Sequence, residues 1–364
     1  MGSKKKQHYV PKMYLRKFSN TTKSINTYNL HNEKYVKDAS IKKMCQKDNF
    51  YGEDKKMEIF LDKEIETPAG AIINKILKTN EFPQDDEEYI QLMTFLLVSE
   101  ARNLKNADST NQLVNQLAKM RLNANDEFIK SEIDLDSFKI GLKEPANIMI
   151  QNALMVVPLI LDLKPLLIVE RTGARKFITS DNPLVRYNSF YLKNKYPSVY
   201  SFTSRGLQLF FPISDNKCIL LYDSYIYNIK NADEGVLFLN RAKEVDQLNK
   251  LFYLNAYNNL FFNQKTKERY IENLHQNNKK NHVISDLDRE LDVFEEGNSG
   301  YKIMHFSTNR VSQRIDFTFL KYTDYSKQLS FPSHMGGINR KESPFIQAEL
   351  ERKKLQDRTY FSLK

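Results

Sequence analysis

An α+β fold is expected from this chain, helix-rich with a small, mostly antiparallel sheet. Three observations carry that expectation. Between Asp54 and Leu161, apart from a polar stretch at 123–143, apolar residues recur with helical spacing. After Leu161 the pattern changes to short β-like runs joined by turns. Helical segments outnumber strand segments along the chain, and no internal repeat is present.

The elements follow in order. Residues 4–18 are basic and aromatic, with Lys4, Lys5, Lys6, His8, Tyr9, Lys12, Tyr14, Arg16, Lys17 and Phe18, and Pro11 interrupts them. Met13, Tyr14, Leu15 and Phe18 suit one short helical turn. Ile25, Thr27 and Tyr28, then Tyr35 and Val36, read as the arms of a hairpin around the turn His31–Lys34. Met57, Phe60, Leu61, Glu64 and Ile65 share one helical face. Thr67-Pro68 restarts the helix, which runs to about Lys78. Asp85, Asp86, Glu87 and Glu88 open the next helix, where carboxylates suit the positive end of the dipole. It buries Tyr89, Leu92, Met93, Leu96 and Leu97 and reaches about Leu104. Further helices are expected from Ser109 to Leu122 and from Glu144-Pro145 to Pro158 or Leu161.

Leu166–Val169 and Lys176–Thr179 read as paired strands about the turn Arg171-Thr172-Gly173. Gly206–Ile213 and Cys218–Tyr222 read as a second pair. Arg241–Phe262 returns to helix. The pattern then weakens, so residues 1–276 are expected to form one globular α+β domain. Residues 277–364 are expected to form a less patterned extension with a charged tail.

Composition bounds the function. Hydrophobic residues at 41% suffice for a sizeable core, and 27% charged residues argue against a disordered chain. Lys plus Arg exceed Asp plus Glu by 55 to 45, a net +10 that makes nucleic acid a natural partner without proving one. The longest apolar run, Leu154 to Leu161, contains Pro158 and is too short to span a membrane, so no membrane partner is expected. No secretory signal follows the start, and Lys6 stands where a myristoylation motif needs Ser or Thr. Cys45 and Cys218 are isolated, which excludes a zinc ribbon and suits a reducing, cytoplasmic setting. No phosphate-binding glycine loop, HExxH, GxSxG or EF-hand motif is present.

Three boxes stand out: Gln7-His8-Tyr9-Val10-Pro11, Thr179-Ser180-Asp181-Asn182-Pro183, and Arg205-Gly206-Leu207-Gln208-Leu209-Phe210-Phe211-Pro212, the last followed by a strand ending at Asp223. In this order they resemble an uncharacterised bacterial family, domain of unknown function 4238, over roughly residues 7–262. That resemblance also implies a Glu after an aliphatic residue, matched by Ile65-Glu66, and an Arg matched by Arg102. Genes resembling the family occur among phage-defence genes. The resemblance therefore implies an anti-phage role, with growth arrest as outcome and a phage-encoded trigger, but no known reaction.

Each box has a chemical and a bland reading. His8 can act as general base, general acid or metal ligand, or can pin the arm by a backbone hydrogen bond. Asp181 sits at a strand end where a reactive carboxylate would be well placed, yet Ser-Asp-Asn-Pro is also turn chemistry. Glu66 and Arg102 can serve catalysis or form an ion pair between helices.

Together, His8, Glu66, Arg102, Asp181 and Asn182 can assemble a phosphodiester-cleaving or nucleotide-cleaving site. In that reading Asp181 and Glu66 hold Mg²⁺ or Mn²⁺, and the chain is a nuclease of defence acting on RNA or DNA. Lys5, Lys6, Tyr9, Lys12 and Arg16 would meet nucleic acid as interleaved charge and rings. The alternative is a sensor or adaptor without enzymatic activity that binds a phage component or nucleic acid. ADP-ribosyl transfer or NAD cleavage is a third reading, lacking a glycine loop to support it.

Overall fold

A computed structural model describes residues 6–123, 133–192, 197–282, 291–296, 301–306, 311–329 and 337–362. Its first strand, β1 (Lys6–His8), ties the N-terminal arm down at once. The arm then turns at Pro11 into α1 (Lys12–Leu15), a single turn that buries Tyr14 and Leu15. The expected hairpin forms as β2 (Ser24–Asn29) and β3 (Lys34–Ser40). The short β4 (Gln46–Asp48) pairs back antiparallel on β1, with His8 opposite Gln46.

The helical half follows its periodicity. α2 (Lys56–Phe60) continues through a π-helical stretch, Leu61–Glu66, into α3 (Thr67–Thr79), where Pro68 occupies the first turn. Asp85 caps α4 (Asp86–Ala101) by accepting the Glu88 N–H at 3.0 Å. From Leu92 onward α4 is buried on nearly every side, as a helix apolar all round requires. α5 (Leu104–Asn123) and α6 (Pro145–Val156) complete this layer.

The sheet corrects the expectation of a small one. β5 (Lys164–Glu170), β7 (Val185–Tyr187), β8 (Gln208–Pro212), β9 (Lys217–Tyr222), β11 (Ala232–Asp233) and β12 (Val236–Leu239) make one six-stranded mixed sheet, in the order β11-β12-β5-β9-β8-β7. β12 lies parallel to β5, and the other pairs are antiparallel. The sheet is the central layer. Leu167, Val169, Leu209, Phe211, Ile219 and Leu221 face the core shared with α3 and α4. Their neighbours Leu166, Ile168, Phe210, Cys218 and Leu220 face a second core. Strands buried on both faces read as unbroken apolar runs and leave no alternation to announce a wide sheet.

Two further pairings differ from expectation. Lys176–Thr179 does not pair with β5. Instead β6 (Thr179–Ser180) joins a second sheet of four strands, β3-β2-β13-β6. Its member β13 (Asn259–Phe262) falls inside the stretch expected to be helix. That helix, α7 (Ala242–Asn255), stops four residues earlier. β13 inserts between β2 and β6, antiparallel to both. α8 (Glu268–Asn278) follows it.

Parts of 277–364 pack onto the rest. Val311, Ile315, Phe317 and Phe319 enter the second core, and β14 (Leu320–Tyr322) pairs with β10 (Tyr227–Ile229). Arg340, 2% exposed, donates to Asp162 and to the carbonyls of Leu159, Phe202 and Ser204. Pro344–Ser362 forms a further helix. Among the described residues, no helix is long and apolar enough to cross a membrane.

Candidate functional site

The C-terminal end of α4 gathers the boxes. Arg102 follows the last helical residue and is 3% exposed. Its Nη1 donates to Glu66 Oε1 at 2.6 Å, its Nη2 to the His8 carbonyl at 2.7 Å, and its Nε to the Tyr51 hydroxyl at 2.9 Å. The Tyr51 hydroxyl in turn donates to the same His8 carbonyl at 3.1 Å. Burial pushes the Tyr51 phenol up to about 12 although Arg102 pulls it down. The π-helical stretch ends at Glu66, which presents its carboxylate to the guanidinium.

The His8 ring sits outside this knot. Its Nε2 lies 3.1 Å from the Lys42 carbonyl, an acceptor, so that nitrogen carries the hydrogen. Burial, then the charges of Lys12 and Arg102, lower its pKa below the ordinary histidine value, while the Lys42 bond opposes them.

The next residue, Asn103, turns to the other box. Its Nδ2 donates to Asn182 Oδ1 at 2.6 Å. Asn182 donates to the Asn255 carbonyl, and Asn255 returns bonds to the carbonyls of Asn182 and Leu184. Asp181 is 1% exposed and accepts the backbone N–H groups of Tyr257, Asn258 and Asn259 at 2.9, 2.8 and 3.2 Å. Burial raises its pKa to about 6 against the pull of those three donors. Asp181 thus anchors the entry to β13.

His8, Glu66 and Arg102 are therefore brought together, whereas Asp181 and Asn182 hold a separate network, linked to the first through the step from Arg102 to Asn103. The arm and the mid-chain box also touch elsewhere. The Tyr14 hydroxyl lies 2.6 Å from Thr179 Oγ1 and donates to the Pro212 carbonyl at 2.8 Å. Mg²⁺ or Mn²⁺ does not fit at Asp181 and Glu66. The Asp181 oxygens are occupied by N–H donors and Glu66 Oε1 by Arg102. Among the described residues no group of three or more His, Cys, Asp or Glu side chains could hold a metal ion.

The candidate nucleic-acid residues divide. Lys6, Lys12 and Arg16 are exposed, and Lys5 lies outside the described residues. Tyr9 corrects the expectation of a stacking ring. It is 6% exposed and packs on Phe50 with centroids 5.7 Å apart, because the arm is clamped by β4 and its apolar side faces the core.

Two features escaped the sequence reading. One is the ion pair of Glu100 with Arg186. Glu100, buried beside Arg102, accepts Arg186 Nε at 2.8 Å, and the Arg186 guanidinium lies 3.6 Å from the centre of the Phe202 ring. The run Ser99-Glu100-Ala101-Arg102-Asn103, polar at the end of the most apolar helix, was the available signal.

The other is a cationic hollow of about 610 Å³, lined by Arg175, Lys176, Lys265, Thr266, Lys267, Arg269 and Tyr270 among others. Arg175 pairs with Asp246 at 3.0 Å and lies over Tyr270 at 4.7 Å; Lys176 pairs with the buried Glu170. Lys265 lies 3.7 Å from Asp215 and is mostly exposed. Lys267 and Arg269 have no carboxylate within ion-pair distance among the described residues. A smaller hollow shares Lys265 and adds Lys17, Asn20 and Asn263. The cations come from two segments some ninety positions apart, so no single run of the sequence announced them.

No curated protein and no solved structure matches the chain. One family profile does, described as "Protein of unknown function (DUF4238)", and it covers residues 6–266. That span holds the clamped arm, the α4 hub, the central sheet and the entry to α8, and it exceeds half of the chain. The chain belongs to the DUF4238 family.

Proposed function

We propose that this protein binds nucleic acid through the cationic hollow beside α8, and that its polar boxes lock the scaffold carrying that surface. The observation that carries the reading is the pair Lys267 and Arg269, with no carboxylate at ion-pair distance among the described residues, on a hollow already lined by Arg175, Lys176 and Lys265. Cations gathered on one hollow, two of them without an ion-pair partner among the described residues, favour a polyanion, and Tyr270 adds a ring beside them. The hydrogen-bonding groups of Arg102, Asp181 and Asn182 are taken up within the protein, which suits fasteners. Within the defence setting that the family resemblance implies, the polymer would be of phage origin and growth arrest the outcome in cells.

Fluorescence anisotropy with single-stranded RNA and DNA across a salt series tests this. Lys267→Gln with Arg269→Gln should weaken binding and flatten the slope of log affinity against log salt by about 1.5, since two phosphate contacts vanish. An unchanged slope would sink the reading.

One observation favours a second reading, phosphodiester or nucleotide cleavage with His8 as the base. Burial and the charges of Lys12 and Arg102 favour a neutral His8 imidazole, the form that a general base needs. Expression of His8→Gln in cells tests it. Loss of growth arrest with an unchanged melting curve would support cleavage, and retained arrest would remove it.

A further inference from the structure

We propose that the groove between Asp162 and residues 202–205 is a recognition site for an extended peptide that carries an arginine and, two residues further on, an acidic side chain. Residues 338–342 of the chain fill it in cis, and a partner protein presenting the same pattern would compete with them.

The arginine pocket carries the inference. Asp162 takes the Arg340 guanidinium through both oxygens, Oδ2 from Nε at 2.7 Å and Oδ1 from Nη2 at 3.0 Å. The Leu159 and Phe202 carbonyls accept from Nη2 at 2.7 and 2.9 Å, and the Ser204 carbonyl accepts from Nη1 at 2.8 Å. A planar fork of N–H donors thus meets a two-oxygen acceptor and three carbonyls, an arrangement that an ammonium or an apolar side chain cannot satisfy.

A second pocket takes the acidic residue. Glu342 pairs with Arg205, which is 2% exposed and has Asp223 3.5 Å away. The Nε and Nη1 of Arg205 have no hydrogen-bond partner among the described residues, so Glu342 is the acceptor that its side chain relies on.

Between these anchors the backbone pairs as an added strand does. Asn339 forms an antiparallel bridge with Ser204. The Arg205 N–H donates to the Ile338 carbonyl at 2.6 Å, and the Arg340 N–H to the Thr203 carbonyl at 2.9 Å. Arg340 and Glu342 enter pockets, while Lys341 between them is exposed. Main-chain bonds supply affinity and alternate side-chain pockets supply specificity when a sheet edge takes up an extended peptide.

The organisation of the chain points the same way. Leu159, Asp162, Phe202, Ser204 and Arg205 lie within the family match, and the segment that fills their groove lies beyond its end at 266. Residues 337–339 are half-buried and 341–342 exposed, so exchange of this stretch uncovers little apolar surface.

The test uses the full chain and a fluorescent peptide copying residues 337–344. Glu342→Ala loosens the cis segment at one anchor. It should bind the peptide about tenfold more tightly than the wild type, because the tethered competitor fills the groove for less of the time. Peptides with alanine in place of the arginine or of the glutamate should each bind at least about tenfold more weakly, the scale of charge-assisted hydrogen bonds. Arg340→Ala should also gain peptide binding, and methylguanidinium should raise its melting temperature while leaving that of the wild type unchanged. A folded Glu342→Ala chain that binds the peptide no better than the wild type would overturn the site and make 338–342 a fixed seam of the fold. Peptide binding that survives loss of the arginine would overturn it as well. If Arg340→Ala does not fold, the Glu342→Ala comparison decides.

Discussion

Arg102 donates to the carbonyl oxygen of His8 at 2.7 Å, so the N-terminal arm is held through its backbone and not through the imidazole. The same guanidinium holds Glu66 and Tyr51. Arg102→Ala would leave the Glu66 carboxylate without its cation and the His8 carbonyl without its charged donor. The expected loss is about 3 kcal/mol, typical of breaking a buried ion pair from one side. Arg102→Lys should recover only part of it, because an ammonium cannot reproduce a planar fork that spans three acceptors. Urea denaturation measures both, and an unchanged midpoint for the alanine variant would contradict the knot.

Asp181 makes a pH prediction of definite sign. Its folded pKa is raised to about 6 by burial, above the ordinary carboxylate value of 3.8. The folded state therefore holds the proton more tightly than the unfolded state between about pH 4 and 6. Stability from this group falls as pH rises through that window and levels off above it. Asp181→Asn cannot titrate. The stability difference, wild type minus variant, should therefore shrink between pH 4 and 6 and become constant above pH 7. A difference independent of pH would mean that the carboxyl is not shifted.

Arg340 fastens the C-terminal segment with five hydrogen bonds to Asp162, Leu159, Phe202 and Ser204. Arg340→Ala should cost about 3 kcal/mol or more, since Asp162 loses its cation and three carbonyls lose a donor. Truncation before residue 337 should be comparably destabilising, although the family match ends at 266. A truncated chain that melts like the full one would show that the segment is an appendage.

Cys45 and Cys218 are free and buried, and burial pushes both thiols up from their ordinary pKa, with the Asp181 charge adding to the effect at Cys45. Neither should react with an aromatic disulfide reagent at pH 8 until urea unfolds the chain. Reductant should leave the melting temperature where it was. Rapid reaction of one thiol in the folded protein would count against its burial.

What could be read from the sequence was local. The spacing of Leu92, Met93, Leu96 and Leu97 predicted α4, and Asp85 with its acidic followers marked where it starts. Thr67-Pro68 marked α3, and the runs around Tyr28 and Tyr35 marked the hairpin. The boxes were also visible as residues, and so was the pairing of Glu66 with Arg102. Each of these depends on neighbours within a turn or two, or on one strong charge seeking another.

The pairing of β12 with β5, the insertion of β13 between β2 and β6, and the convergence of Lys176 with Lys267 and Arg269 on one hollow were not legible. Nor was the role of Asp181 as acceptor for three backbone N–H groups some seventy-six positions away. The amino-acid sequence by itself determined the helices, the hairpin, the net positive charge and the membership of boxes. Only the tertiary structure decided the width of the sheet, which box residues face each other, and where uncompensated charge collects. The reason is physical: periodicity encodes which face of an element is buried, but not what buries it. A polar side chain becomes a fastener or a binding group only when the fold brings, or withholds, its partner.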